Sequence, residues 1–231
     1  MKHKRVVEIK ETLPLYQLCN HLEAIATEHA AVMGISIEML AERTLAWVLA
    51  KMHIKINRMP SEEAVSLYTW PVAISKAQFR RDFEITDQSG ESIITAATEW
   101  VIVDLSTRRV TRIPDFVAKV HPVNAELSMD ESNYKFAVPE DALALRITHA
   151  NGDDIDINDH VNNVRYVKWI ERALPEDIDI KSFEIVYKTE AFLGDKIVAR
   201  GCFDGEDKKA FLVSLCREDK ELVKSRINGW G

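Results

Sequence analysis

Cysteine is scarce in this chain: three residues, Cys19, Cys202 and Cys216, in 231. They form no Cys-x-x-Cys spacing and no paired framework, which fits a reducing compartment. All three read as small, buried apolar residues; the one pairing open to them is Cys202 with Cys216, since both fall in strand-like segments. Long apolar runs are missing too. Stretches such as residues 45–49 are far too short to span a bilayer. The basic opening Met1-Lys2-His3-Lys4-Arg5-Val6-Val7-Glu8 has no apolar segment after it, so no secretory signal is expected and a cytoplasmic location is. No block of Lys and Arg and no RNA-binding aromatic motif occurs, and the net charge is -7, so nucleic acid is not an expected partner. No close internal repeat is visible.

What is present is an ordinary globular composition, 46% apolar and 29% charged, on a chain long enough to bury a sizeable core. Two segments have helical periodicity. Residues 15–33 place Leu15, Leu18, Leu22, Ile25, Ala26 and Val32 on one face, with Gly34 positioned to end the helix. Residues 161–173 do the same with Val164, Val167 and Ile170, and Pro175 follows. A short strand precedes each helix, at 6–9 and 143–147. Several strands follow each: 44–56, 64–74, 79–86, 92–104 and 109–113 in the first half, then 182–190, 195–203, 209–216 and 221–228 in the second. The order strand, helix, antiparallel meander thus occurs twice, on either side of a polar, proline-punctuated linker at 118–139. That is an α+β architecture with a sheet around one helix, in duplicate.

The densest chemistry lies at Asp156-Ile157-Asn158-Asp159-His160-Val161-Asn162-Asn163-Val164-Arg165-Tyr166. A carboxylate, an amide and an imidazole recur every second residue just before the second helix. A helix N-terminus offers unpaired N–H groups and the positive end of a dipole, which suits a reaction where a carbonyl oxygen gathers negative charge. Asp154, Asp156 and Asn158 alternate with Ile155 and Ile157, so an extended segment would put them on one face. A calcium loop opens the same way, but its sixth position needs Gly and has Asp159, and its twelfth needs Glu and has Arg165. A plainer reading is that Asn158 or Asp159 caps the helix with His160 packed in its first turn. Against it, Asn162 and Asn163 are poor helix formers beside two more polar residues. His29 and His53 read as structural, and His149 lies near the motif without a role.

Taken together, these residues resemble the fatty acyl-ACP thioesterases. The first half matches at Leu45-Ala46-Trp47-Val48-Leu49, Met52-His53-Ile54-Lys55-Ile56, Tyr68-Thr69-Trp70-Pro71, Arg80-Arg81-Asp82-Phe83, Ala97-Thr98-Glu99-Trp100-Val101 and the run from Thr107 to Pro114. The second matches at Asp156-x-Asn158-x-His160-Val161-Asn162-Asn163-x-x-Tyr166 and Tyr187-x-x-Glu190. The resemblance implies two tandem hotdog domains, each a long helix wrapped by a curved antiparallel sheet. The first, at 1–132, would face the acyl chain, and the second, at 133–231, would be catalytic. It implies Asp156, Asn158, His160 and Glu190 as catalytic residues, Glu190 on the strand after the helix. Trp47, Met52, Val161 and Asn162 would meet substrate. Plant members carry a Cys after that Glu, where this chain has Ala191, so attack by water is expected.

The implied partner is acyl carrier protein, with no cofactor, metal or membrane, and a monomer or homodimer. Arg80-Arg81 and Arg108-Arg109 sit in strands, so only one of each pair faces a given side. Each reads either as a solvated edge or as a basic patch for an acidic carrier, a local device since the whole molecule is acidic. Three alternatives remain: an acyl-CoA thioesterase of the same fold, a hotdog dehydratase, and a non-catalytic acyl-binding module.

Overall fold

The computed structural model describes residues 2–74, 78–119, 126–132, 134–156, 159–175, 178–205 and 208–229. The chain divides into two compact units, Met1–Leu13 with Asn20–Glu131, and Pro14–Cys19 with Ser132–Gly231.

The first half runs β1 (His3–Ile9), α1 (Leu15–Val32), α2 (Ile37–Ala41), β2 (Leu45–Ile56), β3 (Glu63–Ile74), β4 (Phe79–Thr86), β5 (Ser92–Asp104), β6 (Arg109–Val110) and α3 (Asp115–Lys119). Its sheet is antiparallel in the order β1-β3-β4-β5-β2, with β6 pairing the end of β5. Pro71 lies where β1 no longer pairs β3, so its missing N–H breaks no bond on that side. In α1 the residues Leu15, Leu18, Leu22 and Ile25 are all buried, as their spacing of three and four predicts. Gly34 takes φ +73 and closes the helix, with Gly34 N–H on Ala31 O at 3.0 Å and Ile35 N–H on Ala30 O at 2.9 Å. Those are the paired bonds of a Schellman ending, and they need a left-handed residue.

The consecutive arginines of β4 are a correction. Neither faces solvent: Arg80 and Arg81 are both buried. Arg80 meets the carboxylate of Asp82 through two bonds, at 2.6 and 3.0 Å, and donates to Met129 O at 2.8 Å. Ser128 gives Asp82 two further donors, N–H at 2.7 Å and Oγ at 2.9 Å. Arg81, on the opposite face of the strand, donates to Thr69 Oγ1 at 3.2 Å and lies 2.9 Å from His29 Nδ1 on α1. Burial pushes its guanidinium down to about 10, so it stays charged at neutral pH. Strand β4 is covered on both faces, by α1 and by the chain at 126–131, and alternation therefore exposes nothing. The same contacts revise the linker. Trp70 Nε1 bonds Glu126 O at 2.9 Å and Met129 is buried, so residues 126–131 are strapped to the first unit.

The second half runs β7 (Leu143–His149), a 3-10 turn (Gly152–Asp154), α4 (Asn163–Glu171), β8 (Ser182–Tyr187), β9 (Lys196–Phe203), β10 (Ala210–Arg217) and β11 (Lys220–Asn228). The sheet order is β8-β11-β10-β9-β7, antiparallel throughout. Phe183, Ile185, Val213, Leu215, Val223 and Ile227 are fully buried, alternate residues of their strands, and α4 adds Val164, Val167 and Ile170. Tyr134 and Phe136 pack on Leu212, so the other end of the supposed linker belongs to this core. Glycine is required at 201, where a Cβ would stand 2.7 Å from Leu145 Cδ1 and 2.8 Å from Leu212 O. Helix α4 is shorter than the expected 161–173. The strand expected at 182–190 stops at Tyr187.

All three cysteines are free; Cys19 is buried, but Cys202 and Cys216 are only half-buried. Cys202 pairs across to Leu212 and Cys216 to Val198, so they lie far apart along β9 and β10 and cannot bridge. Among the described residues, no helix is long and apolar enough to cross a membrane.

Candidate active site

The segment before α4 is a closed turn rather than an extended strand. A single bridge pairs Ile155 with Val161. Inside it Asp156 N–H bonds His160 O at 2.8 Å, and Asp159 N–H bonds Asp156 O at 3.2 Å. Asp159 takes φ +61, a left-handed conformation that aspartate tolerates better than most residues. The preceding residues are locked as well. Asn151 caps the 3-10 turn in a capping box with Asp154, whose buried carboxylate also lies 3.6 Å from Arg165 Nε. Asp154 is thereby used up in structure and does not share an open face with Asp156.

The helix cap falls on neither Asn158 nor Asp159. It is Asn162, whose side chain accepts from Val164 N–H at 2.9 Å. His160 therefore precedes the cap and is outside the first turn. Its imidazole meets Glu190, with Nε2 3.2 Å from Oε2 and side chains 27% and 52% exposed. Glu190 stands in the loop after β8, not on a strand, next to the fully buried Ala191.

Ala191 fastens that loop through both of its backbone polar groups. Ala191 O accepts from Val161 N–H at 2.9 Å, and Ala191 N–H donates to Tyr166 Oη at 2.7 Å. Further on, Asp195 Oδ2 accepts from Phe192 N–H at 2.8 Å and from Arg217 Nη1 at 2.5 Å. The Phe192 ring lies 5.2 Å from the imidazole and is 38% exposed, so the pair has an apolar neighbour open to a ligand. Tyr166 is deeply buried, which pushes its phenol up to about 12, with the Glu190 and Asp195 carboxylates adding to the effect. It stays a neutral hydroxyl.

The structure thus brings Asp156, His160, Val161, Asn162 and Glu190 together within the second unit. Asp156 Oδ1 lies 3.5 Å from His160 N, a long contact. Asn158 lies outside the described residues. Val161 and Asn162 have their N–H groups taken, by Ala191 O and by Asp154 O at 2.9 Å each. Trp47 and Met52 belong to β2 of the first unit. Trp47 Nε1 bonds Ile35 O at 3.1 Å and its ring packs edge-on against Phe79, while Met52 is buried. A cavity of about 130 Å³ in the second unit is lined by Trp169, Arg172, Ile197 and Leu215 among others, and includes neither His160 nor Glu190. Sequence reasoning gave Tyr166 and Phe192 no role. Tyr166 was visible as part of the motif, but nothing in its spacing shows that its hydroxyl meets Ala191.

Comparison with known proteins agrees along most of the chain. The acyl-ACP thioesterase N-terminal domain matches residues 4–120, and the acyl-ACP thioesterase C-terminal domain matches residues 142–227. A chloroplastic palmitoyl-acyl carrier protein thioesterase of Cuphea hookeriana is 30% identical over 78% of this chain and 48% of its own. A chloroplastic oleoyl-acyl carrier protein thioesterase 2 of Arabidopsis thaliana is 30% identical over 80% of this chain and 56% of its own. The chain spans about half the length of the curated relatives it matches. Among solved structures, an acyl-ACP thioesterase from Bacteroides thetaiotaomicron superposes with a TM-score of 0.90 at 24% identity, covering 98% of this chain and 97% of that one. The 12:0-ACP thioesterase from Umbellularia californica gives 0.86 at 22% identity, over 98% and 96%. These structural likenesses show the fold, two tandem hotdog domains, as the family resemblance implies. With one domain profile covering just over half of the residues and its companion most of the rest, this chain belongs to the acyl-ACP thioesterase family.

Proposed function

We propose that this protein hydrolyses fatty acyl thioesters carried on acyl carrier protein, releasing the fatty acid. The observation that carries the reading is the 3.2 Å contact between His160 and Glu190 on a partly open surface, beside the exposed ring of Phe192. Thioester hydrolysis needs a base for water and a proton for the departing sulfur, and a carboxylate–imidazole pair supplies both. Glu190 takes a proton from water as the water oxygen bonds to the thioester carbon, and the carbonyl electron pair moves onto oxygen. The oxyanion collapses, the C–S bond breaks with its electrons on sulfur, and the proton reaches the thiolate through His160.

The donors for the oxyanion are fewer than a bare helix end suggests, since the Val161 and Asn162 N–H groups are committed within the fold. His160 N–H, whose contact to Asp156 is long, and the Asn158 amide that the family resemblance implies are assigned that part. Asp156 orients the turn. A cysteine nucleophile has no support: Ala191 follows Glu190, and burial pushes the Cys202 thiol up, away from the reactive thiolate. Recognition of the acyl chain is assigned to the first unit, with Trp47 and Met52 on its apolar side, each buried CH₂ contributing about 0.8 kcal/mol. With Arg80 and Arg81 internal, contact with an acidic carrier falls to the exposed Arg108 and Arg109.

The test is hydrolysis of one acyl chain presented on acyl carrier protein and on coenzyme A. Fatty acid released faster from the protein carrier is the expected result. Faster release from coenzyme A would reassign the carrier, and no release from either, with acyl chain still bound, would leave a binding module.

A further inference from the structure

The proposed chemistry depends on Glu190 staying within reach of His160, yet Glu190 lies in an exposed loop. On its near side the loop is tied to β11, where Leu222 O accepts from Lys188 N–H at 2.9 Å and Thr189 N–H at 3.2 Å. Its far side is held one residue further on. Ala191 is completely buried, and both of its backbone polar groups are used: the carbonyl by Val161 N–H at 2.9 Å, the N–H by Tyr166 Oη at 2.7 Å. Val161 follows His160 as Ala191 follows Glu190. A single residue therefore links the two loops that carry the pair, and the hydroxyl of Tyr166 is the second anchor of that link.

Tyr166 is built for the task. It is 2% exposed, and its ring is held edge-on by Trp169, with centroids 5.6 Å apart, and by Tyr187, at 6.1 Å. Tyr187 is the last residue of β8, and its own hydroxyl donates to Asn163 O at 3.3 Å at the start of α4. Swinging the side chain about its Cα–Cβ bond, the motion that would carry the hydroxyl away, would break these ring contacts. Where a backbone N–H beside an exposed loop is met by water, the loop is free to drift; here it is met by a buried, packed phenol.

From this we propose that Tyr166 is a positioning residue for the hydrolytic pair: through Ala191 it fixes the Glu190 loop against the His160 loop, and so sets the spacing across which the proton moves. The proposal rests on the reading of His160 and Glu190 given above. Displacement of a reacting group by about 1 Å lowers rates by up to two orders of magnitude, and most of that loss falls on the chemical step.

The experiment is a double-mutant cycle in the full chain, using acyl-ACP hydrolysis. Tyr166→Phe keeps the ring and loses the hydroxyl. Its kcat is expected to fall about tenfold, with KM within about twofold of the wild type. On a Glu190→Gln background the same change is expected to have little further effect, because a residue acting through Glu190 has nothing left to position. Tyr187→Phe removes a hydroxyl from the same aromatic group without touching Ala191 and serves as the control, with kcat near wild type. A Tyr166→Phe enzyme with wild-type kcat, a loss confined to KM, or an equal loss on both backgrounds would each overturn the proposal. Should Tyr166→Phe not fold, 3,5-difluorotyrosine at 166 keeps ring and hydroxyl but weakens the acceptor, and the same kcat and KM criteria apply. If Glu190→Gln alone leaves turnover intact, the reading of the pair has failed instead, and the two failures are told apart.

Discussion

Each unit holds a close pairing of a carboxylate with a nitrogen-bearing side chain, in opposite settings. In the first, Asp82 is 0% exposed and Arg80 binds it at 2.6 and 3.0 Å, with Ser128 supplying two more donors. Four donors of the protein meet that carboxylate, one on Oδ1 and three on Oδ2, and no part of it is open to a ligand. In the second, His160 and Glu190 meet through one contact at 3.2 Å and leave much of both side chains in the open. The sealed pair fastens the strap at 126–131 to its sheet. The open pair has acceptor and donor capacity to spare, which proton transfer to a bound water requires. Charge alone does not mark a working site; unspent hydrogen-bonding capacity does.

Substitutions should separate the two pairs cleanly. Glu190→Gln is expected to lower kcat for acyl-ACP by roughly 10²–10⁴, the usual range for loss of a general base, while the thermal midpoint barely moves. A variant that kept most of its turnover would show that the open pair is not the proton-transfer device. Asp82→Ala should do the reverse in kind. It takes from the buried Arg80 the carboxylate that meets it through two bonds and leaves the more distant, exposed Glu131 at 3.8 Å, a loss of about 3–5 kcal/mol of stability, measurable by urea unfolding if the protein folds and as insoluble product if not. Soluble protein with an unchanged midpoint would show that the strap does not need this pair.

A third carboxylate lies between the extremes and gives the smallest effect. Glu171, at the end of α4, accepts from Leu15 N–H at 2.8 Å and Tyr16 N–H at 3.4 Å. Burial raises it from 4.5 more strongly than those bonds lower it. A proton bound there therefore favours the folded state. That contribution is complete below the ordinary value and is lost as pH rises through the raised one. Glu171→Gln still accepts from Leu15 N–H and cannot ionise. Its urea midpoint should lie slightly above the wild type at pH 7, with the difference shrinking at pH 4. A constant difference at both values would remove ionisation as the cause.

Much of this architecture was legible in the linear chain because its signals are local. The spacing of Leu15, Leu18, Leu22 and Ile25 gave α1 almost to its ends, and Gly34 closed it. Strands β4 and β5 fall on their expected residues. The Asp156–Tyr166 motif falls where the structure brings His160 against Glu190. Its internal geometry was not legible, since a left-handed Asp159 and a bridge from Ile155 to Val161 are set by bonds that close the turn. The Arg-Arg pair of β4 misled for the same reason: strand alternation says that neighbouring side chains point apart, but not whether both directions are covered.

By itself, then, the amino-acid order settled periodicity, turn chemistry and the family motif, all of which depend on residues close in the chain. Only tertiary packing decided which charges are sealed and that Ala191 links Tyr166 to Val161 beside the His160–Glu190 pair. Those outcomes turn on partners dozens of residues away, whose approach alters exposure and hydrogen bonding without leaving any trace in local spacing.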